Sequence, residues 1–152
     1  MVSQHMFKLY ILDTPVYADR HDKKNRFGFL QERIIVITDK AVYNIKGKTL
    51  KRTFLIDDLV GLTKTSRPSW DLTTFTLHHK SQHDYNLYHN KNRDLFISML
   101  QKVYYFNKGS NLPIYVVQTD NLSKYTTTTS DIKKSRNRHP PACQRDFKED
   151  LF

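Results

Sequence analysis

Cysteine is almost absent from this sequence, since Cys143 is the only one in 152 residues. A single cysteine excludes an intramolecular disulfide, which fits a reducing compartment. Long apolar runs are also missing: nowhere do about 18 apolar residues follow one another, so we expect no transmembrane helix. The residues from Met1 to Lys8 contain no long apolar stretch, and we expect no secretory signal there. These absences predict a cytoplasmic protein, or one that is peripheral to a membrane or to the cytoskeleton.

Acidic residues are too few to balance the basic ones. The chain has 15 Asp and Glu against 25 Lys and Arg, which gives a net charge of +10 and a pI of about 9.7. A balance of this kind predicts an acidic partner: an anionic lipid, a nucleic acid or an acidic protein surface. Nucleic acid is the least favoured, because Tyr85 and Tyr88 do not form the basic and aromatic platform of single-strand binders.

Apolar residues are also scarce, at 38% of the chain, although nine Phe and nine Tyr add large buried areas. One core is therefore possible, but not over the whole length. From Thr119 onward the composition becomes polar and basic, which predicts disorder in isolation. We expect a lead-in over residues 1–15, a domain over 16–118, and an extended arm over 119–152 that binds cytoskeletal or other large-assembly proteins.

Secondary structure is clearest from Arg33 to Ile45, which reads as two strands around a polar turn. Short strands with turn signals roughly every ten residues precede and follow it, typical of a small sandwich or barrel of about seven strands. Apolar residues then recur at helical spacing, which predicts a helix from Asn92 to Phe106 that closes the barrel. Its predicted core-facing residues are Leu95, Phe96, Met99, Leu100 and Val103. Leu112 to Val117 reads as a last extended segment.

Two stretches carry a family resemblance. Arg33 to Asn44 reads as a basic residue, four apolar residues and then Thr-Asp-Lys-Ala-Val-Tyr. This pattern resembles the opening of the first tail-homology domain of class I myosins, a pleckstrin-homology-like domain. Arg52 to Leu62 is similar to the next basic strand, Asp-containing turn and hydrophobic-Gly-hydrophobic step of that family. The resemblance covers about residues 16–120, and the sequence contains no myosin motor or light-chain-binding helix.

The resemblance implies a mainly β, pleckstrin-homology-like barrel that docks on phosphoinositide-containing membranes or cytoskeletal proteins without catalysing a reaction. In the family, a basic residue near the end of the first strand and an arginine on the second hold phosphoinositide phosphates. By position these are Lys23 and Arg33. Lys24, Arg26 and Lys40 lie close in sequence and complete the predicted headgroup site.

The predicted loop between the first two strands departs from the family in two ways. Gln31 and Glu32 stand directly before the second-strand arginine, where the family is basic, and Glu32 would repel a phosphate. The loop also carries Phe27, Phe29 and Leu30, which could enter a bilayer or bury against a protein. A solvated basic loop without a specific role is the remaining interpretation.

A second basic cluster surrounds the next turn and consists of Lys46, Lys48, Lys51 and Arg52. Each cation near an anionic surface contributes about 1 kcal/mol of attraction, so the cluster would strengthen membrane binding. Protection of an exposed strand edge by lysines is an equal alternative.

No catalytic, metal or cofactor site is predicted. Gly47 to Thr49 resembles the end of a phosphate-binding loop, but that motif also requires a glycine at position 42, where this sequence has Val42. His78 and His79 are adjacent on a predicted strand, so their side chains face opposite sides and cannot share one ion. A second functional hypothesis is a structural subunit of a microtubule or axonemal assembly in a cilium, with barrel and arm both buried against protein partners.

Overall fold

Eight β-strands and one long α-helix form the fold in the computed structural model, which describes residues 13–25, 27–65, 73–88, 90–118 and 122. A 3₁₀ turn, Ile56–Asp58, follows the fourth strand. The strands are β1 Pro15–Lys24, β2 Leu30–Thr38, β3 Ala41–Lys46, β4 Thr49–Leu55, β5 Leu59–Thr65, β6 Phe75–His79, β7 Tyr85–Tyr88 and β8 Ile114–Val117, and the helix is α1 Arg93–Lys108.

The strands form one sheet in the order β4-β3-β2-β1-β7-β6-β5-β8. Every pairing is antiparallel except β5 with β8, which is parallel. Seven strands followed by a helix are the predicted pleckstrin-homology-like order, and this fold class is confirmed. The extended segment predicted after the helix is β8, which adds a strand beside β5.

The central hairpin forms as predicted because β2 is buried on both of its faces. Ile35 and Ile37 face the main core, whereas Ile34 and Val36 belong to a second apolar cluster on the other side of the sheet. A strand that is buried on both faces needs a continuous apolar run instead of alternation. This explains the four consecutive β-branched residues from Ile34 to Ile37.

Helix α1 closes one end of the barrel, with its buried residues Phe96, Ile97, Leu100, Val103 and Tyr104 directed inward. The prediction of Leu95 as a core residue is wrong, because Leu95 is 52% exposed. One residue of offset rotates a helical side chain by about 100°, so Leu95 lies beside the buried stripe. Gly109 caps the helix: it has a φ of 70° and donates its N–H to the Tyr105 carbonyl. No helix in the described part of the chain is long and apolar enough to cross a membrane.

The predicted domain boundaries at residues 16 and 118 stay predictions. The lead-in up to residue 12 lies outside the described residues, as does most of the arm beyond residue 118. Leu122 is described, and it is buried in a small cluster with Tyr115 and Val117 of β8.

His21 is a buried histidine at the centre of the helix-to-barrel contact. Its ring lies 4.9 Å from the Phe96 ring and 5.8 Å from the Phe75 ring, measured between centroids. The Asn90 amide nitrogen lies 2.8 Å from its Nε2. Burial disfavours the imidazolium and lowers the pKa of His21 to about 4. The ring is therefore neutral in the folded protein at physiological pH.

Acidification should destabilise the folded protein, because the buried His21 ring resists protonation. Between the unfolded pKa of 6.5 and the folded pKa of about 4, the unfolded chain binds a proton that the folded chain does not. The free energy of unfolding should therefore fall by about 2–3 kcal/mol from about pH 7 to about pH 4.5. Urea unfolding at both pH values checks this, with His21→Gln as the control whose pH dependence should be weaker by that amount. Equal pH dependence in both proteins would contradict the assignment.

Candidate functional site

Three cations from three strands converge at the end of the barrel where the β1–β2 and β3–β4 turns lie. We call this end the mouth and define it by Lys23 on β1, Arg33 on β2 and Arg52 on β4. Alternate residues of a strand face the same side. Arg33 therefore lies on the same side of β2 as the core residue Ile35, and Arg52 on the same side of β4 as Phe54. The mouth cations continue the inner face of the barrel beyond its apolar core.

The electrostatics of Lys23 reflect this convergence. Burial lowers the pKa of the Lys23 ammonium, and the positive charges of Arg33, Arg52 and Lys51 lower it further. Like charges raise the free energy of the protonated lysine, and an anion placed among them would reverse this effect. The mouth is thus a cluster of mutually repelling cations, which favours an anionic ligand.

Arg33 is held in place by neighbouring groups of its own strand. Its side chain is only 6% exposed. One terminal nitrogen donates to the Glu32 carbonyl at 2.8 Å, and the other donates to Gln31 Oε1 at 2.9 Å. The buried Nε–H has no hydrogen-bond partner among the described residues. A guanidinium that the protein already holds in place loses little conformational entropy when it binds an anion.

Arg52 is the mouth residue that sequence reasoning assigned to the separate second cluster. Its guanidinium stacks 4.2 Å from the Phe54 ring centroid and 5.4 Å from that of Tyr85. Its Nε donates to Gln82 Oε1 at 3.0 Å, and a terminal nitrogen donates to the His83 carbonyl. The sequence alone could have predicted this position. Arg52 stands between Leu50 and Phe54 at alternate positions of β4, so all three side chains are expected on the same face of the strand.

Glu32 does not oppose an anion at the mouth, contrary to the expected repulsion. Its carboxylate accepts a hydrogen bond from Arg20 at 2.7 Å, and both side chains are exposed. Glu32 directly precedes Arg33 on β2, so its side chain points to the other face of the sheet. The acidic departure from the family pattern therefore lies outside the mouth.

The remaining predicted cations occupy different places. Lys24 ends β1, with its ammonium 5.5 Å from the Tyr88 ring centroid. Lys46, Lys48 and Lys51 are exposed on β3, β4 and the turn between them, near the mouth. Arg26 lies outside the described residues.

Lys40 is not brought to the mouth, which corrects its predicted place in the headgroup site. It lies in the turn between β2 and β3, at the barrel end covered by α1. There Asn107 of the helix donates to the Asp39 carbonyl at 2.7 Å. Seven residues of extended chain separate Lys40 from Arg33, a length of roughly 20 Å or more.

The loop between β1 and β2 presents apolar side chains beside the mouth. The Asn25 side-chain oxygen accepts the backbone N–H groups of Phe27 and Phe29, each at 2.9 Å. Gly28 supplies the positive φ of 85° that this tight turn requires. Phe27 and Phe29 are 70% and 71% exposed, and Leu30 is also exposed. A short, ordered turn therefore projects three apolar side chains into solvent.

The adjacent histidines His78 and His79 form hydrogen bonds within the protein. Both ring nitrogens of His78 are engaged, with Nδ1 at 2.7 Å from Asp84 and Nε2 at 2.7 Å from Thr63. Nδ1 of His79 accepts backbone N–H groups of the following loop. No group of three or more potential ligands gathers within the part of the chain that the structure describes. The Thr–His–Asp chain imitates a catalytic triad, but all three residues are buried beyond the reach of a substrate.

The fold is that of a pleckstrin-homology-like domain. A family model described as unconventional myosin tail, actin- and lipid-binding, matches residues 4–149. The chain therefore belongs to the unconventional myosin tail family, as its sequence resemblance predicted. A search of curated proteins finds no significant match.

Solved structures support the same fold. The hSac2 domain from the human phosphoinositide phosphatase Sac2 has a TM-score of 0.54 at 14% identity, covering 78% of this chain and 87% of that one. The C-terminal domain of an unknown protein from Leishmania infantum has a TM-score of 0.53 at 12% identity, covering 66% and 93%. At these identities the similarity concerns the fold alone. None of these matches points to a microtubule or axonemal assembly.

Proposed function

We propose that this chain is a non-catalytic docking module whose mouth binds the phosphorylated headgroup of an anionic lipid, such as a phosphoinositide. The observation that carries the proposal is the convergence of Lys23, Arg33 and Arg52 from three strands, with the pKa of Lys23 lowered by burial and by its cationic neighbours. The family description, which includes lipid binding, supports the same ligand class.

A phosphate suits this arrangement chemically. Arginine presents a planar fork of donors that matches phosphate oxygens, while lysine serves as a point charge. Each hydrogen bond to a charged group contributes about 1.5–3 kcal/mol. The exposed lysines around the mouth, Lys46, Lys48 and Lys51, add longer-range attraction that salt screens over about 8–10 Å. Binding should therefore weaken as ionic strength rises.

The exposed turn supplies a second contribution that only a membrane can use. If the mouth engages a headgroup, Phe29 and Leu30 lie beside it and can enter the bilayer interface. Fully burying one large apolar side chain contributes about 1.5–3 kcal/mol. A headgroup contact combined with shallow insertion would hold the domain at the membrane surface more firmly than either alone.

The protein partner is inferred from the family description and not from the geometry of the mouth. The family description includes actin binding, which supports a cytoskeletal partner in addition to the lipid. We propose a protein peripheral to both membrane and cytoskeleton. We also propose that the arm over residues 119–152 contributes to the binding of protein partners.

Phe29→Ser separates lipid binding from binding of a free phosphate compound. We expect the variant to bind phosphoinositide vesicles about tenfold more weakly, because the lost insertion is worth at least about 1.5 kcal/mol. Its affinity for a soluble inositol polyphosphate should not change, since the mouth cations remain. Vesicle co-sedimentation and calorimetric titration measure the two affinities.

Leu55→Ser is the matched control, since Leu55 is also exposed but lies at the far end of β4. Its vesicle binding should equal that of the wild type. Equal weakening by both substitutions would contradict loop insertion. Failure of the wild type to bind either vesicles or the inositol polyphosphate would overturn the proposed function.

A further inference from the structure

A second surface lies at the opposite end of the barrel from the mouth. A groove of about 390 Å³ opens between the β2–β3 turn, the start of β1 and the last turns of α1. We call it the helix-end groove. It is lined by Val16, Asp39, Lys40, Lys102, Val103, Phe106 and Asn107.

The helix-end groove combines an apolar wall with a rim of two lysines and one carboxylate, Asp39. Phe106 is 92% exposed, and Val16 beside it is also exposed, so a large apolar area faces solvent. The ammonium groups of Lys40 and Lys102 are exposed and have no ion-pair partner among the described residues. An apolar groove wall beside free ammonium groups offers a partner both a packing surface and a charge contact.

The walls of the groove are held in place before any partner binds. The Asn107 side-chain nitrogen donates to the Asp39 carbonyl at 2.7 Å and to the Val103 carbonyl at 3.1 Å. The Asp39 carboxylate accepts the Thr14 N–H at 3.3 Å. These bonds join the helix, the turn and the strand that form the groove, so a partner need not order them.

We propose that the helix-end groove docks an acidic segment of a protein, with an apolar side chain of that segment packed against Phe106, and that this protein is the actin filament. The inference deepens the proposed function, because it assigns a surface to the actin binding of the family. Charge complementarity favours an acidic occupant at Lys40 and Lys102. A second copy of this chain is disfavoured, because each copy carries a net charge of +10.

The position of the groove has a functional consequence. Strand β2 begins at the mouth and ends at the turn that carries Lys40, and its nine residues span roughly 30 Å. A lipid headgroup in the mouth would therefore leave the helix-end groove accessible. One domain could hold a membrane at one end and a filament at the other at the same time.

The test is co-sedimentation of the full chain with actin filaments, and separately with phosphoinositide vesicles. We expect Phe106→Asp and the double variant Lys40→Glu/Lys102→Glu each to weaken actin binding about tenfold or more. Vesicle binding should be unchanged in both. Leu95→Asp and Lys91→Glu are matched controls, since both residues are exposed near the other end of α1, and both should bind actin like the wild type.

A ternary experiment tests simultaneous occupancy. Wild-type protein should carry actin filaments onto floating phosphoinositide vesicles, and Phe106→Asp should abolish this transfer. Retained actin binding in both groove variants would overturn the proposal, as would self-association that Phe106→Asp abolishes while actin binding persists. If the wild type binds vesicles but not actin filaments, this inference fails while the lipid-binding function stands.

Discussion

Phe96→Ala should lower the free energy of unfolding by about 3–5 kcal/mol, the usual cost of removing a fully buried aromatic ring. Phe96 has no exposed surface, and its ring contacts those of Tyr17, His21 and Phe75. The substitution would leave a cavity where α1 meets the barrel. Urea unfolding followed by circular dichroism measures the change, and a loss of this size would leave a marginally stable domain.

Leu95→Ala is the control for this prediction, since it truncates the adjacent residue of the same helix. Leu95 is half exposed, so we expect a change within about 0.5 kcal/mol. Similar losses from the two substitutions would mean that α1 packs on the barrel in a different rotation from the one observed.

Arg33→Ala should weaken binding to phosphoinositide vesicles by about 1.5–3 kcal/mol, which is roughly 10- to 150-fold in affinity. Its guanidinium is prearranged by Gln31 and by the Glu32 carbonyl. Because Arg33 is buried, thermal unfolding must show that the variant is folded. Lys23→Ala, at a partly buried site on β1, provides a second mouth variant and should also weaken binding.

Arg20→Ala is the matched control, because Arg20 pairs with Glu32 on the outer face, away from the mouth. Its removal should change vesicle affinity by only a few tenths of a kcal/mol, because Arg20 faces away from the mouth and its exposed pair with Glu32 contributes little. Unchanged binding by folded Arg33→Ala and by Lys23→Ala would exclude the mouth as the headgroup site. Equal losses in the Arg20 variant would indicate a diffuse electrostatic attraction instead.

The two ends of the barrel thus have different chemistry. The mouth is cationic and faces the exposed aromatic turn, whereas the end covered by α1 has an apolar groove with a lysine rim. Variants at one end should leave the other end unaffected, because substitutions that share no contacts and lie well apart are usually independent. Separate loss of lipid and actin binding would therefore support the division proposed here.

Local sequence patterns determined the fold class. Three short-range patterns were sufficient: the β-branched run of β2, the polar turn at Asp39, and the helical spacing of Phe96, Leu100 and Val103. Each depends only on the periodicity of a strand or a helix, so it can be read from neighbouring residues. They predicted the order of seven strands and a helix, although Leu95 was wrongly placed in the core. The family resemblance added Lys23 and Arg33, which the structure brings to the same end of the barrel.

Only the tertiary structure decided which cations share a site. Lys40 is nearer to Arg33 in sequence than Arg52 is, yet Lys40 lies at the far end of β2 while Arg52 lies at the mouth. Nearness in sequence says little along an extended strand, because each residue advances the chain by about 3.3 Å. Strand pairing and the side to which each residue points determine the site, and they depend on long-range register. The same register turns Glu32 toward Arg20 and leaves the mouth without the carboxylate that its sequence position suggested.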